Sequence, residues 1–335
     1  MSVKVSVLCT TYNQEGYIRD AILSFLKQRT TFEYEILIND DCSTDGTRAI
    51  LQELQNQYPD KIHVVYQHEN QYSKGVDINK EFLFPLAKGK YVALCEGDDY
   101  WTSSDKLQKQ FDALERNPSC GFCVHASYCV EADSKRELSQ SRPFESSRIL
   151  DKRVLLEAIH PFATNSYFIR SDLYKKYLYS SIQSLPAHGD QKMSVFFALH
   201  TDTYYLSDAL SAYRVLAKNS INSFIASKSE AEKKEIALDL LSRRNKLVDV
   251  ANEVSDYKFQ GSLERAKESH FLDYCLAVND LKLLKLKCPR AYARIGLKTK
   301  LKSSLMGRTP LLYRVIRGLY RTKRFLARKI EFDSD

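Results

Sequence analysis

An α/β fold is predicted here: a mostly parallel sheet flanked by helices, with a helical, basic C-terminal extension. Three observations predict it. Short apolar runs alternate with helical patterns across residues 1–130. Polar or acidic clusters recur just past those runs. From Ala226 onward the pattern is long and helical and passes into a segment dense in Lys and Arg. A β-α-β-α order implies a mostly parallel sheet with helices on both faces, and ligands in such sheets bind beyond the C-terminal ends of the strands.

The elements follow in order. Val3–Cys9, with Val3, Val5 and Val7, reads as a strand rather than a signal peptide, since no basic region or small-residue cleavage site accompanies it. Gly16–Gln28 sets Ile18, Ala21, Ile22, Phe25 and Leu26 on one helical face. Tyr34–Ile38 is a second strand, followed by the loop Asn39–Thr47 and a helix carrying Ala49, Ile50, Leu51 and Leu54. Ile62–Tyr66 and Tyr91–Cys95 are further strands, with a helix near Asn79–Ala87 between them. Phe122–Val130 reads as a buried strand and the polar stretch 131–150 as a loop. Residues 150–222 mix helix and strand, and Ala226–Asp280 is helical. The expected organisation is a body over 1–222, with halves 1–130 and 150–222, then a helical region 223–335 ending in a basic tail at 281–330.

Composition narrows the class. Hydrophobic residues at 44% and charged residues at 27% are ordinary for a soluble globular chain. No run reaches the roughly 18 apolar residues that a membrane span needs. The eight cysteines are scattered, several inside apolar runs, which fits reduced thiols in the cytosol. Cys120 and Cys123 form a CxxC, but no partner pair lies at zinc-finger spacing. The net charge of +8 is unevenly spread: Leu281 to Ile330 holds 16 Lys or Arg and no acid, leaving the body mildly acidic. That confinement argues against nucleic acid as the main partner.

Three clusters share one edge of the expected sheet: Thr10-Thr11-Tyr12-Asn13 after the first strand, Asp40-Asp41 after the second, and Glu96-Gly97-Asp98-Asp99 after Tyr91–Cys95. Crowded carboxylates repel unless a cation or donors offset them. A diphosphate with Mg²⁺ or Mn²⁺ is a natural occupant, because hard cations take oxygen ligands. Ser43 to Thr47 reads as a turn and helix N-cap.

At these residues the chain resembles the family 2 glycosyltransferases, over roughly residues 3–222. Val5–Thr47 is similar to the family's opening, Asn70, Gly75, Asn79, Ala87 and Gly89 to its next block, and Glu96–Asp99 to its acidic metal motif, with Glu in place of the usual first Asp. Pro186–Asp190 resembles the segment that supplies the catalytic base, and Ser211-Ala212-Tyr213-Arg214 the block after it; the His that often follows is absent here, with Lys218 nearby. The resemblance implies an A-type nucleotide-sugar-binding fold and an inverting, hexosyltransferase-type activity; the expected donor is a nucleotide sugar, with a UDP-sugar put first. The half 1–130 would bind the donor and 150–222 would serve acceptor and base. Thr10, Tyr12, Asp41, Asn79 and Asp98 would contact the nucleotide sugar, and Asp98 and Asp99 the metal. Asp190 would be the general base. Glu96, Trp101, His188 and Arg214 are further candidates: Glu96 beside the metal, Trp101 either stacked on sugar or acceptor or packed in the core, His188 as an alternative base. Residues 160–165 would line the acceptor side.

The expected acceptor is a glycan or lipid-linked glycan of a bacterial surface polymer such as capsule or O-antigen. The expected location is the inner face of the cell membrane, because Leu311, Leu312, Val315, Ile316, Leu319, Leu326 and Ile330 share one helical face opposite Arg314, Arg317, Arg321, Arg324 and Arg328. An oligomer is left open. Two alternatives stand beside this. A metal-dependent sugar nucleotidyltransferase would be expected to open with a Gly-rich, basic phosphate loop, where this chain has Thr-Thr-Tyr-Asn-Gln. A non-enzymatic basic RNA- or membrane-binding protein would place its charge near its site.

Overall fold

The structure, a computed structural model, describes residues 2–159, 161–218, 220–293 and 295–296 of the 335. His160 and the stretch 311–330, expected to form the basic amphipathic helix, lie outside the described residues. The strands are β1 (Val3–Thr11), β2 (Glu33–Asp40), β3 (Ile62–Tyr66), β4 (Tyr91–Leu94), β5 (Tyr100–Trp101), β6 (Cys120–Glu131), β7 (Glu137–Ser141), β8 (Arg148–Leu150), β9 (Phe168–Arg170) and β10 (Asp202–Val215). The helices are α1 (Ile18–Leu26), α2 (Thr47–Gln57), α3 (Lys106–Arg116), α4 (Lys152–Ala158), α5 (Ser171–Leu178), α6 (Gly189–His200), α7 (Ile221–Ser227), α8 (Glu230–Val254), α9 (Gln260–Ala277), α10 (Leu281–Lys287) and α11 (Pro289–Ala293). They gather into two units: one holds 1–149, 162–178 and 201–223, the other 150–161, 179–200 and 224 onward.

In the first unit the sheet runs β3-β2-β1-β4-β9-β6-β10-β5, with β7 beside β6 and β8 beside β10. From β3 to β4 every pairing is parallel, as the alternation of strand and helix requires. β9 then enters antiparallel to both β4 and β6, so the sheet is mixed beyond β4. Strands buried on both faces carry near-continuous apolar runs: Val5, Val7, Ile36, Ile38 and Ala93 are fully buried, covered by Ile18, Ile22 and Phe25 of α1 and by Leu51 of α2. Each of the Val, Ile, Leu and Phe side chains contributes about 1.5–3 kcal/mol relative to exposure.

A buried polar brace fixes the height of β4 against β1. Ser6 Oγ donates to Glu35 Oε1 at 2.7 Å, the amide of Lys88 donates to the same oxygen at 2.8 Å, and the amide of Gly89 donates to Ser6 Oγ at 2.9 Å. A Cβ at Gly89 would stand 2.5 Å from the Ser6 nitrogen, so only glycine fits that approach. The brace thereby sets where the segment after β4 emerges.

Two stretches differ from expectation. Residues 131–150 hold β7 and β8 rather than only a loop; β7 reads Glu-Leu-Ser-Gln-Ser, which has almost no apolar period to detect. Asn79–Leu83 is a π turn running into a 3-10 turn, Phe84–Leu86, where Pro85 cannot continue a helical ladder. All eight cysteines are free thiols, with Cys120 and Cys123 buried in β6.

The second unit is helical. α4 packs on α6 and α9, and α8 runs against α9. Ser229 and Glu232 close a reciprocal capping box at the start of α8. Arg265 of α9 pairs with the buried Glu157 of α4. Leu272, Cys275, Leu284 and Ala291 form a small core joining α9, α10 and α11.

Candidate functional site

Three strand ends are laced together by main-chain bonds. The amide of Asp41 donates to Thr11 O at 3.0 Å, and that of Gly97 to Thr10 O at 3.0 Å. Gly97 has no room for a side chain: its Cβ would lie 2.5 Å from Gln14 Oε1 and 2.9 Å from Thr11 Cβ. The residues after β1, β2 and β4 are therefore brought to one edge. Asn13 (φ 51°) and Cys42 (φ 66°) turn the chain through left-handed conformations there. Ser43–Thr47 is the expected turn, held to the β1–α1 loop by Asn13 N donating to Ser43 Oγ at 2.9 Å and Gln14 N to Thr47 Oγ1 at 2.8 Å.

Around this edge Tyr12 is 41% exposed, while Asp41 is buried. The Asp41 carboxylate accepts the amides of Gln71 at 2.7 Å and Tyr72 at 3.0 Å, which ties β2 to the 70–72 turn. Asp40, its neighbour, is fully buried against Arg48 at 2.8 Å. Asn79 Oδ1 is a buried acceptor with no hydrogen-bond partner in the protein, a cost that a ligand donor would remove. Thr10 is half-buried.

The acidic turn divides its roles. Asp99 is buried, with one oxygen accepting the amide of Arg214 at 2.9 Å and the other accepting Asn165 Nδ2 at 2.8 Å. Asn165 is fixed in turn by Ser211, whose hydroxyl donates to its Oδ1 at 2.6 Å. Burial, then the charges of Asp98 and Glu96, hold the Asp99 carboxyl well above the usual carboxylate range. Asp98 is half-buried; burial raises its carboxyl too, opposed by the Arg214 charge and the Gln14 side-chain hydrogen bond. Glu96, Asp98 and Asp99 thus crowd one another, the situation a divalent cation relieves. Asp98 and Asp99, the expected metal pair, both stand in this cluster, and Asp99 in addition anchors the turn through both of its oxygens. Among the described residues no group of three or more His, Cys, Asp and Glu side chains could hold a metal unaided. Mg²⁺ needs only one or two protein carboxylates when phosphate oxygens complete its shell.

Trp101 takes the packing role, one of the two expected for it. It is buried, its ring 4.5 Å from that of Phe25 and 4.2 Å below Lys106 Nζ, so it packs the core. Successive strand residues face opposite ways, and β5 turns Trp101 inward. Arg214 is 1% exposed and lies between the rings of Tyr17 and Tyr100, at 5.0 and 4.6 Å. A polar cavity of about 350 Å³ opens beside it, lined by Gln14, Tyr17, Asp20, Lys135 and Lys218 among others. Asp190 and His188 belong to the second unit. Asp190 lies in the first turn of α6, half-buried, its Oδ1 accepting the Gln191 amide at 2.7 Å; the carbonyl of His188 accepts the amides of Gln191 and Lys192. Sequence reasoning missed Asp20, because one acid on a helix looks like solvated surface.

A sheet with this order, with polar residues at the end of β1 and acids at the ends of β2 and β4, is the A-type glycosyltransferase fold. TarS from S. aureus, solved in complex with UDP-GlcNAc, matches with a TM-score of 0.62 over 98% of this chain and 92% of that one, at 19% identity. The description Glycosyl transferase family 2 matches residues 6–178, just over half of the chain, and the chain belongs to that family. It is similar to an uncharacterized protein of Mycobacterium tuberculosis, 34% identical over 213 residues, which are 63% of this chain and 58% of that protein. It is also similar to TuaG of Bacillus subtilis, described as a putative teichuronic acid biosynthesis glycosyltransferase, 42% identical over 118 residues, 35% of this chain and 44% of TuaG. The chain thus spans about half the length of these curated relatives.

Proposed function

We propose that this chain is an inverting, metal-dependent glycosyltransferase. It moves a sugar from a UDP-sugar to an acceptor hydroxyl on a surface glycan or its lipid-linked precursor. The observation that carries the proposal is the lacing of Thr10 to Gly97 and Thr11 to Asp41, which gathers Tyr12, Asp41 and the crowded acids of the 96–99 turn at one sheet edge. Family membership supports it, as do TuaG's described role in teichuronic acid biosynthesis and the UDP-GlcNAc complex of TarS.

In this scheme Tyr12 offers its exposed ring to the base, while Asp41 and Asn79 bound the nucleoside side. Asp98, with Glu96 beside it, would hold Mg²⁺ or Mn²⁺, which when bound neutralises charge on the departing diphosphate. Asp190, carried on α6, takes the proton from the acceptor hydroxyl as that oxygen attacks the anomeric carbon opposite the leaving group. The bond from that carbon to the diphosphate oxygen breaks as the new glycosidic bond forms, so the configuration inverts, as in inverting glycosidases. The tail at 311–330 would keep the enzyme at an anionic membrane surface.

The test is transfer from UDP-sugars with Mn²⁺. Asp190→Asn keeps the shape of the side chain but removes the acceptor of the proton, and transfer should fall roughly 10²–10⁴-fold with UDP affinity within a few-fold of wild type. Unimpaired transfer by Asp190→Asn would move the base to His188. Full activity in EDTA would end the metal assignment.

A further inference from the structure

Arg214 is buried, and its guanidinium is committed to the protein in three directions. Its Nη1 donates to the carbonyl of Asp98 at 2.7 Å, its Nε to the carbonyl of Ala132 at 3.0 Å, and its Nη2 pairs with Asp20 at 2.5 Å. Its own amide reaches Asp99 at 2.9 Å. One residue therefore grips the acidic turn at both aspartates, through the carbonyl of one and the carboxylate of the other. The planar fork of guanidinium suits such simultaneous bonding, which an ammonium cannot reproduce.

The grip needs a counter-charge, and Asp20 is the one carboxylate paired with this guanidinium among the described residues. It sits in the first turn of α1, and its Oδ2 also receives Lys135 at 2.8 Å. The turn joining β6 and β7 is fastened to the same place, because Tyr17 on one side of the guanidinium donates its hydroxyl to Asp133 at 3.0 Å. A buried guanidinium that loses its carboxylate is strongly disfavoured and would be drawn toward water. Leaving its place, it would release the carbonyl of Asp98.

We propose that Asp20 is a positioning residue: through Arg214 it holds the 98–99 turn at the height where the Asp98 carboxylate meets the metal–diphosphate group. Arg214 is then the arm of this device and not a donor-binding side chain. The inference rests on the metal-dependent donor reading above.

UDP binding to the full chain is measured by calorimetry with Mn²⁺ and again in EDTA, for wild type, Asp20→Asn, Asp20→Glu and Arg214→Lys. The quantity of interest is the ratio of the two affinities. Partners that orient a metal site typically contribute 10–100-fold. Asp20→Asn should therefore reduce the Mn²⁺-dependent gain by at least about tenfold, while binding in EDTA, made by nucleoside contacts, stays near wild type. Asp20→Glu should recover part of the gain, and Arg214→Lys should lose it although the charge is kept. An unchanged ratio in Asp20→Asn overturns the inference, as does an equal fall with and without metal, which is what general loosening of the fold would give. Should Asp20→Asn not fold, the ratio in Arg214→Lys decides by the same criterion. Wild type with no Mn²⁺-dependent gain at all would instead defeat the donor reading itself.

Discussion

Asp98 and Asp99 are adjacent, alike in chemistry and unlike in circumstance. Asp99 satisfies two buried donors, the amide of Arg214 and the side chain of Asn165, and is itself shut off from water. Asp98 keeps part of its surface and takes a hydrogen bond from Gln14. Removing the first carboxylate leaves donors unmade, at about 1–3 kcal/mol for each buried one. Removing the second leaves nothing buried without a partner. Asp99→Ala should thus unfold at markedly lower urea concentration, whereas Asp98→Asn should unfold with wild type yet lose the Mn²⁺-dependent part of UDP binding. Equal denaturation midpoints for Asp99→Ala and wild type would contradict the anchoring role.

At the level of the element, α3 shows what a sequence pattern conveys and what it hides. Its apolar face, Leu107 and Leu114, is legible, as are the strands whose Val and Ile runs fill both faces of the parallel half. Lys106 at its first position looks like a solvated charge, yet it is fully buried, its Nζ donating to Gln110 Oε1 at 2.7 Å with no carboxylate paired to it among the described residues. The polar residues at the end of β1 and the acids at the ends of β2 and β4 were legible because they cluster after recognisable strands. Trp101, Asn165 and Asp20 were not, since which way each points depends on β5 pairing with β10 and on Arg214 arriving from more than a hundred residues away. Burial lowers the Lys106 ammonium to about 7 from its usual 10.5. In the unfolded chain the proton stays on until near pH 10.4, so between about 7 and 10 the unfolded state binds more protons and stability rises with pH. Lys106→Met removes that contribution. The buried thiols, raised by the same burial, act with opposite sign, so the difference between the two chains is the informative quantity. Urea titrations at pH 7, 8 and 9 should show wild type gaining relative to Lys106→Met as pH rises; parallel profiles would mean the ammonium is not desolvated.

Over the whole chain the charge is divided: a mildly acidic body gathers carboxylates at its sheet edge, and the excess of bases over acids lies after residue 280. In the proposed scheme a donor carrying a diphosphate would need a cation to approach that edge, whereas an anionic membrane would be attracted to the basic segment. Among the described residues no helix is long and apolar enough to cross a membrane. α10 already presents Lys282, Lys285 and Lys287 with Leu286 76% exposed. The sequence pattern at 311–330 adds seven apolar residues on one face and five arginines on the other. Each basic residue close to an anionic surface contributes about 1 kcal/mol, so even a few engaged arginines give binding at micromolar protein. Nucleic acid would use the arginines and leave the apolar face without a role. A chain ending at Lys300 retains the described residues and α10. It should bind UDP with Mn²⁺ as the full chain does and sediment far less with vesicles of phosphatidylglycerol and phosphatidylcholine in low salt. Neither chain should sediment with phosphatidylcholine alone. If both chains sediment equally with the anionic vesicles, the tail is not the membrane contact, and α10 becomes the place to substitute next.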